Sequence, residues 1–377
     1  MNVKLKSITS SEAFSNLLSS LMAIAAGLLV GFIVLLFSNP AAAWGGFRTI
    51  LIGGFLNMRE MGRALYMATP IMMTGLSVGF AYKTGLFNIG AAGQFIVGAY
   101  AAVYVGVKWT FLPGHLHWAG ALLAAFAAGA LWGLVPGLLK AYYNVHEVIA
   151  SIMMNYIGMF LVNFLIVRTI FNAMRNETQH VAATAVLPKA GLNHIFVHGG
   201  AASSANAGIF FAIAFGILMY IVLEKTRFGF ELKAVGHNRD AAQYAGINAQ
   251  QSILASMGIA GGLAGLGGAL AYLAGSGRGI EVVDVLAMEG FNGIPVALLG
   301  FSNPLGIIAS ALFIAHLSTG GFNMQLHGFV PEVIEIIVAV IIYFSALSLL
   351  VKGFIEKRLR RRQKANDVRT AEGGALQ

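Results

Sequence analysis

The sequence predicts an all-α integral membrane protein of about ten transmembrane helices, in two pseudo-repeated halves with broken helices. Three observations carry that prediction. The 377-residue chain is 58% hydrophobic and only 10% charged, where soluble domains carry about 25% charged residues. Its mean hydropathy is +0.76. Charge-free runs of membrane length recur along it, and the lysines and arginines between them divide unequally between two sides.

A crossing needs about 20 residues with few or no charges. Such runs cover 13–47, 64–82, 84–107, 109–139, 148–167, 190–223, 241–277, 290–331 and 336–351. The run 290–331 is broken by Asn303-Pro304 and holds two crossings. The run 336–351 is short, but Pro331, Glu332 and Glu335 extend its helix towards the interface. Ten crossings put both termini on one side. That side then holds 16 of the 24 lysines and arginines, so the positive-inside rule makes both termini cytoplasmic. The apolar stretch after MNVKLKS is about 25 residues, beyond the roughly 7–15 of a signal h-region. It reads as an uncleaved first helix, although Ala41-Ala42-Ala43 offers small residues for cleavage. The expected organisation is one transmembrane domain over 1–377. It includes an exterior loop at 173–205, a cytoplasmic loop at 225–250 and a basic cytoplasmic tail at 353–377. The tail's Lys357–Arg362 cluster reads as an anchor on anionic lipid.

Several classes of chemistry are excluded. The chain has no cysteine, hence no disulfide and no thiol ligand or nucleophile. It has no Gly-Lys pair, so it lacks a phosphate-cradling loop of its own. Gly75-Leu76-Ser77-Val78-Gly79 fits a nucleophile-elbow pattern but lies inside a crossing, where no strand-to-helix turn is available. The pairs His115/His117 and His194/His198 have no carboxylate or cysteine at ligand spacing, so no metal site is assigned. The expectation is a non-enzyme without a cofactor of its own.

Glycine is frequent, at 47 residues. In the crossing around Ser256–Gly268 the pairs Gly258/Gly262, Gly261/Gly265 and Ala264/Gly268 fit small-xxx-small packing, where backbones approach closely. Two stretches in opposite halves look alike: Gly85-Leu86-Phe87-Asn88-Ile89-Gly90 with Gly93-Gln94, and Glu289-Gly290-Phe291-Asn292-Gly293-Ile294-Pro295. Glycine and proline interruptions at corresponding places point to broken helices beside a solute path. The amides Asn88 and Asn292 can satisfy freed backbone groups or read a polar solute, and the two roles are compatible. Phe87, Asn88, Gln94, Phe291 and Asn292 are the candidate path residues, with Asn155 behind them.

The longest charged segment between the crossings is Thr226–Asn248, with seven charges from Glu224 to Asp240. It is too short for a catalytic domain and large enough for a docking surface. Asn238 is a good N-cap, Asp240 an acid in the first turn and Gly246 a C′ stop, predicting a helix from about Arg239 to Ala245. Ala241, Ala242 and Ala245 give that helix a low face beside Tyr244.

This segment carries a resemblance. Thr226, Gly229, Ala234-Val235-Gly236, Asn238, Ala241-Ala242 and Tyr244-Ala245-Gly246-Ile247 resemble the cytoplasmic loop of permeases in the branched-chain amino acid, simple-sugar and nucleoside group of ABC importers. The similarity extends from the second crossing through Gly306. Gly85–Gly90 and Gly93-Gln94 look like the nucleoside type, as does Val145-His146-Glu147-Val148-Ile149 followed by Ile152–Ile157, although His146 and Ala92 depart from the usual pattern. The resemblance implies the longer of two permeases in a bacterial cytoplasmic (inner) membrane importer for nucleosides, purine nucleosides among them. It implies a second, shorter permease, a tandem-domain ATPase that binds ATP and Mg, and an exterior solute-binding protein or lipoprotein. Arg239, Asp240, Ala241, Ala242, Tyr244 and Gly246 would form the coupling helix that docks on the ATPase. A simple-sugar permease and a self-sufficient secondary carrier are the alternatives.

Overall fold

The computed structural model describes residues 12–346 and 353 of the chain. Lys4, Lys6 and the tail cluster Lys357–Arg362 lie outside the described residues. The described part is built of helices: α1 Glu12–Ser38, α2 Ala43–Ile52, α3 Met58–Lys83, α4 Ala91–Lys108, α5 Gly114–Tyr143, α6 Glu147–Thr169, α7 Gly208–Lys225, α8 Arg227–His237, α9 Arg239–Tyr244, α10 Ala249–Tyr272, α11 Met288–Leu299, α12 Pro304–Asn323 and α13 Pro331–Ala346. Two short antiparallel ladders, Phe171–Asn172 with Glu177–Thr178 and Val197–His198 with Ala201–Ala202, lie in the long loop between α6 and α7.

Eight described helices are long and apolar enough to cross a membrane. The other two expected crossings fall on α11 and α13. Helix α11 has 12 residues, about 18 Å at 1.5 Å per residue, roughly half of a hydrocarbon core about 30 Å thick. It is a half-length helix. The break after it lies where Asn303-Pro304 predicts one. Phe301 and Ser302 adopt left-handed φ values of 53° and 52°, Ser302 N–H donates to Ala297 O at 2.7 Å, and Asn303 Oδ1 accepts from Leu305 N at 3.0 Å to start α12.

The chain divides into two compact units. In the first, which takes the described residues up to Phe47 and from Met324 onward, α1 packs on α13 with Gly31 against Ile337, and Phe32 meets Phe47 at 4.8 Å between ring centres. The second, Arg48–Asn323, is organised around α10. Its Gly261 and Gly265 lie on Gly129 and Gly133 of α5, Gly265 also faces Gly98 of α4, and Gly268 faces Phe95. A Cβ at Gly265 would stand 3.0 Å from Gly129 Cα, and one at Gly261 would stand 3.0 Å from Gly133 Cα. The small-residue pattern therefore marks a helix in backbone contact with two neighbours, as close packing in lipid requires.

Loops in this unit are also tied down. Thr178 N–H donates to Ile280 O and Leu187 N–H to Leu273 O, at 3.0 and 2.8 Å. Lys189 Nζ donates to Ala274 O at 3.0 Å, and burial lowers the pKa of its amine. His117 is buried between Thr184 Oγ1 at 2.8 Å and Val105 O at 3.0 Å, which accounts for a histidine at the start of an apolar helix. Ser77 is buried within α3.

Candidate functional site

The charge asymmetry supplies the terms inner, for the side of α8 and α9, and outer, for the side of Arg59 and Arg63. At the inner end, Thr226 Oγ1 accepts from Gly229 N at 3.0 Å to begin α8. Asn238 Oδ1 accepts from Ala241 N at 3.0 Å to begin α9. Gly246 has a φ of 85°; its N–H donates to Gln243 O at 2.9 Å and that of Ile247 to Ala242 O at 3.0 Å. This two-bond arrangement is the Schellman closure of a helix. The predicted cap and stop thus stand where the sequence puts them.

The side chains of α9 divide cleanly. Ala242 is buried with Val235, Leu86, Ala81 and Met257, while Tyr244 is 96% exposed. Asp240 and Ala241 are exposed, and Arg239 Nη2 donates to Ala141 O at 3.2 Å, pinning the helix to the end of α5. A short helix with a fixed base and one projecting ring suits contact with a soluble protein.

Between α3 and α4 the chain is non-helical from Thr84 to Gly90. Thr84 Oγ1 donates to Ala81 O at 2.8 Å and also meets the Ser256 hydroxyl. Gly85, at φ 77°, lies against Gly236 of α8, where a Cβ would stand 2.5 Å from the Gly236 Cα. Backbone groups freed by the break and buried in protein need internal partners, and Asn155 supplies two. Asn155 Oδ1 accepts from Gly93 N at 2.8 Å while its Nδ2 donates to Ile89 O at 3.0 Å. Asn88 and Gln94 pair reciprocally: Asn88 Nδ2 donates to Gln94 Oε1 at 2.7 Å, and Gln94 Nε2 to Asn88 Oδ1 at 3.1 Å. Asn88 Nδ2 also donates to Ser77 Oγ at 3.0 Å. All three amide residues are at most 1% exposed. Asn88 and Gln94 bind each other and Ser77, Asn155 binds the backbone, and none of the three lines either cavity described next.

The outer cavity, about 730 Å³, is bounded by Arg59, Glu60, Arg63, Tyr66 and Pro70 of α3, by Arg278, Glu281, Glu289 and others of the segment between them, and by Asn292 and Ser318. That volume lies in the range of about 300–1,000 Å³ usual for small-molecule sites. Its floor is the start of α11, where Thr74 Oγ1 donates to Glu289 O at 2.8 Å and Gly290 lies against Ala92. Arg278 Nη1 donates to Glu289 Oε1 at 2.8 Å and its guanidinium lies 5.1 Å from the Tyr272 ring centre. Burial works against the charge on Arg278, but Tyr272 and Glu289 outweigh it and hold the group above the ordinary arginine pKa. Arg63 stacks on Phe322 at 3.8 Å. Three arginines, Arg59, Arg63 and Arg278, face three acids, Glu60, Glu281 and Glu289. A balanced lining of this kind suits an uncharged polar solute.

An inner cavity of about 520 Å³ is lined by Tyr82, Lys83, Phe87, Glu147, Lys233 and His237. The six predicted path residues are therefore separated. Asn292 lines the outer cavity, Phe87 lines the inner one, Asn88, Gln94 and Asn155 fasten the break, and Phe291 lines neither. The two Phe-Asn stretches are also unlike in structure. Phe87-Asn88 sits in the unwound segment, whereas Phe291-Asn292 is inside α11 and the second break comes later, at Gly300–Asn303. Sequence reasoning missed Arg278, Tyr66 and Tyr272. The available signal was a lone arginine with an acid 11 residues later, between two crossings.

Residues 60–346 match the family described as branched-chain amino acid transport system / permease component. The chain is 38% identical to the guanosine ABC transporter permease protein NupP of Bacillus subtilis, over 93% of this chain and 99% of that one. It is 33% identical to the nucleoside ABC transporter permease protein NupB of Lactococcus lactis, over 89% and 92%. It is also 33% identical to the glucose ABC transporter permease protein TsgB13 of Haloferax volcanii, over 88% of each. A second guanosine permease protein of the same Bacillus, NupQ, matches at 27% over 77% of this chain and 90% of its own. No solved structure matches the chain.

Proposed function

The chain belongs to the branched-chain amino acid transport system permease family, and from that premise we propose that it is the longer permease of an ATP-driven nucleoside importer, one whose cargo includes purine nucleosides. The observation that carries the cargo is the 38% identity to a guanosine permease along 93% of this chain. The outer cavity agrees with it, because balanced charges and a half-helix start bearing the amide of Asn292 fit an uncharged, hydrogen-bonding solute.

The remaining parts follow from what the chain lacks and presents. It has no phosphate-cradling loop, and the likeness to ABC permeases implies that a separate, tandem-domain ATPase binds ATP and Mg. Helix α9, with Tyr244 projecting and Asn238 and Gly246 fixing its ends, is the surface that ATPase grips. A second, shorter permease completes the path; the occurrence of NupP and NupQ in one bacterium supports a paired arrangement. An exterior binding protein or lipoprotein delivers cargo, and the assembly works in the bacterial cytoplasmic membrane.

The likeness to a glucose permease favours a simple sugar as the competing cargo. Uptake of labelled guanosine by cells expressing the full importer separates the two. Excess unlabelled adenosine suppresses it and excess ribose or glucose leaves it unchanged. Suppression by the sugars and not by adenosine would reverse the assignment.

A further inference from the structure

The two cavities are separated along α3. The outer one takes residues from Arg59 to Ile71 and the inner one takes Tyr82 and Lys83. Ser77 lies between them in sequence along that helix, and it is the residue to which the Asn88–Gln94 pair is tied. The pair itself is a closed ring of two amides, each donating to and accepting from the other. Nothing in this ring requires a solute. It fastens the unwound segment to α3 and to the first turn of α4 by hydrogen bonds alone.

The same unwound segment is in direct contact with the docking helices. A Cβ on Gly236 of α8 would stand 2.6 Å from the carbonyl carbon of Thr84 and 2.7 Å from Gly85 N. Leu86 shares one buried cluster with Val235 of α8 and Ala242 of α9. Backbone against backbone with no side chain between leaves little compliance, because close-packed groups transmit a displacement instead of absorbing it. Gln94's partner Asn88 lies three positions after Gly85, where α8 presses, and Ile89 lies four.

We infer that the Asn88–Gln94 pair is the closure between the outer and inner cavities, and that movement of α8 and α9 releases it through the Gly236–Gly85 contact. Asn88 and Gln94 are positioning residues in this account: they hold the path shut and do not select the cargo. The inference rests on the reading of this chain as a nucleoside permease.

The test uses the complete importer in proteoliposomes loaded with labelled guanosine, and measures efflux without ATP. Gln94→Met keeps the length of the side chain but cannot donate to Asn88 Oδ1 and is only a weak acceptor. The variant should leak about tenfold faster than the wild type, equivalent to about 1.4 kcal/mol. The exchange Asn88→Gln with Gln94→Asn preserves a complementary amide pair and should stay sealed. A second arm, Gly236→Ala, should leave ATP hydrolysis in place while ATP-driven uptake falls about tenfold. Wild-type sealing by Gln94→Met or a leak in the exchange variant would overturn the closure. Unchanged uptake per ATP hydrolysed in Gly236→Ala would overturn the transmission. If the wild-type importer takes up no guanosine, the functional reading fails; if it does and the variants stay sealed and coupled, only this inference fails.

Discussion

Replacing Asn155 by leucine removes two hydrogen bonds that hold the break before α4. Its Oδ1 accepts from Gly93 N at 2.8 Å and its Nδ2 donates to Ile89 O at 3.0 Å, at 1% exposure. Leucine is close to isosteric, so the cavity term is small and the cost is that of unpaired backbone groups. Each buried donor or acceptor left without a partner costs about 1–3 kcal/mol. Neither the Gly93 N–H nor the Ile89 carbonyl has another partner here, although the two stand at i and i−4 and can pair with each other if α4 lengthens, which is the route for relaxation. The sum is about 2–6 kcal/mol, and relaxation favours the lower half, as interhelical hydrogen bonds within membranes average only about 0.6 kcal/mol. Unfolding of the purified chain in mixed detergent, followed against the fraction of SDS, measures the loss directly. A destabilisation below about 0.5 kcal/mol would show that neither backbone group depends on Asn155, and would refute the part given to these amides.

Three further outcomes follow from other contacts. Gly265→Val forces a side chain into the contact with Ala125 and Gly129 and should destabilise the chain by about 1–3 kcal/mol or more, visible as lost expression or a lowered detergent melting temperature. Asn238→Ala removes the cap bond to Ala241 and should cost α9 about 1 kcal/mol, read as faster backbone hydrogen exchange confined to 239–245 with transport impaired more than folding. Asn292→Leu removes an amide from the outer cavity and should raise the KM for guanosine about tenfold, a loss of about 1.4 kcal/mol, while a KM equal to the wild type would remove Asn292 from the cargo's surroundings.

Much of the fold was legible because lipid leaves few choices. A charge-free run of membrane length has to be a helix, since every backbone group needs an internal partner. The run 148–167 accordingly falls inside α6, whereas the run 241–277 takes in the end of α9, then α10 and the loop after it. The capped helix at Arg239 was legible too, because N-cap and C′ signals are local. The half-length α11 was not. Hydropathy reports that residues 290–331 are apolar, but it does not report depth, and the left-handed turn at Phe301–Ser302 has no glycine to announce it. The amides were found but their partners were not. An asparagine in an apolar run shows that some partner exists, while the identity of that partner, Gln94 for Asn88 and two backbone groups for Asn155, is a long-range fact. Arg278 meets Tyr272, six residues earlier at the end of α10, across a stretch in which Gly275 and Gly277 adopt positive φ.

The most direct measurement of the central claim is guanosine accumulation in proteoliposomes carrying the complete importer, with Tyr244→Asp and Ala241→Arg introduced together in this chain. The account predicts that the wild type accumulates guanosine with ATP and not with an ion gradient alone, and that the double variant loses ATP-driven accumulation while guanosine binding to the receptor persists. Accumulation by this chain under an ion gradient without an ATPase, or full ATP-driven uptake by the double variant, would contradict it.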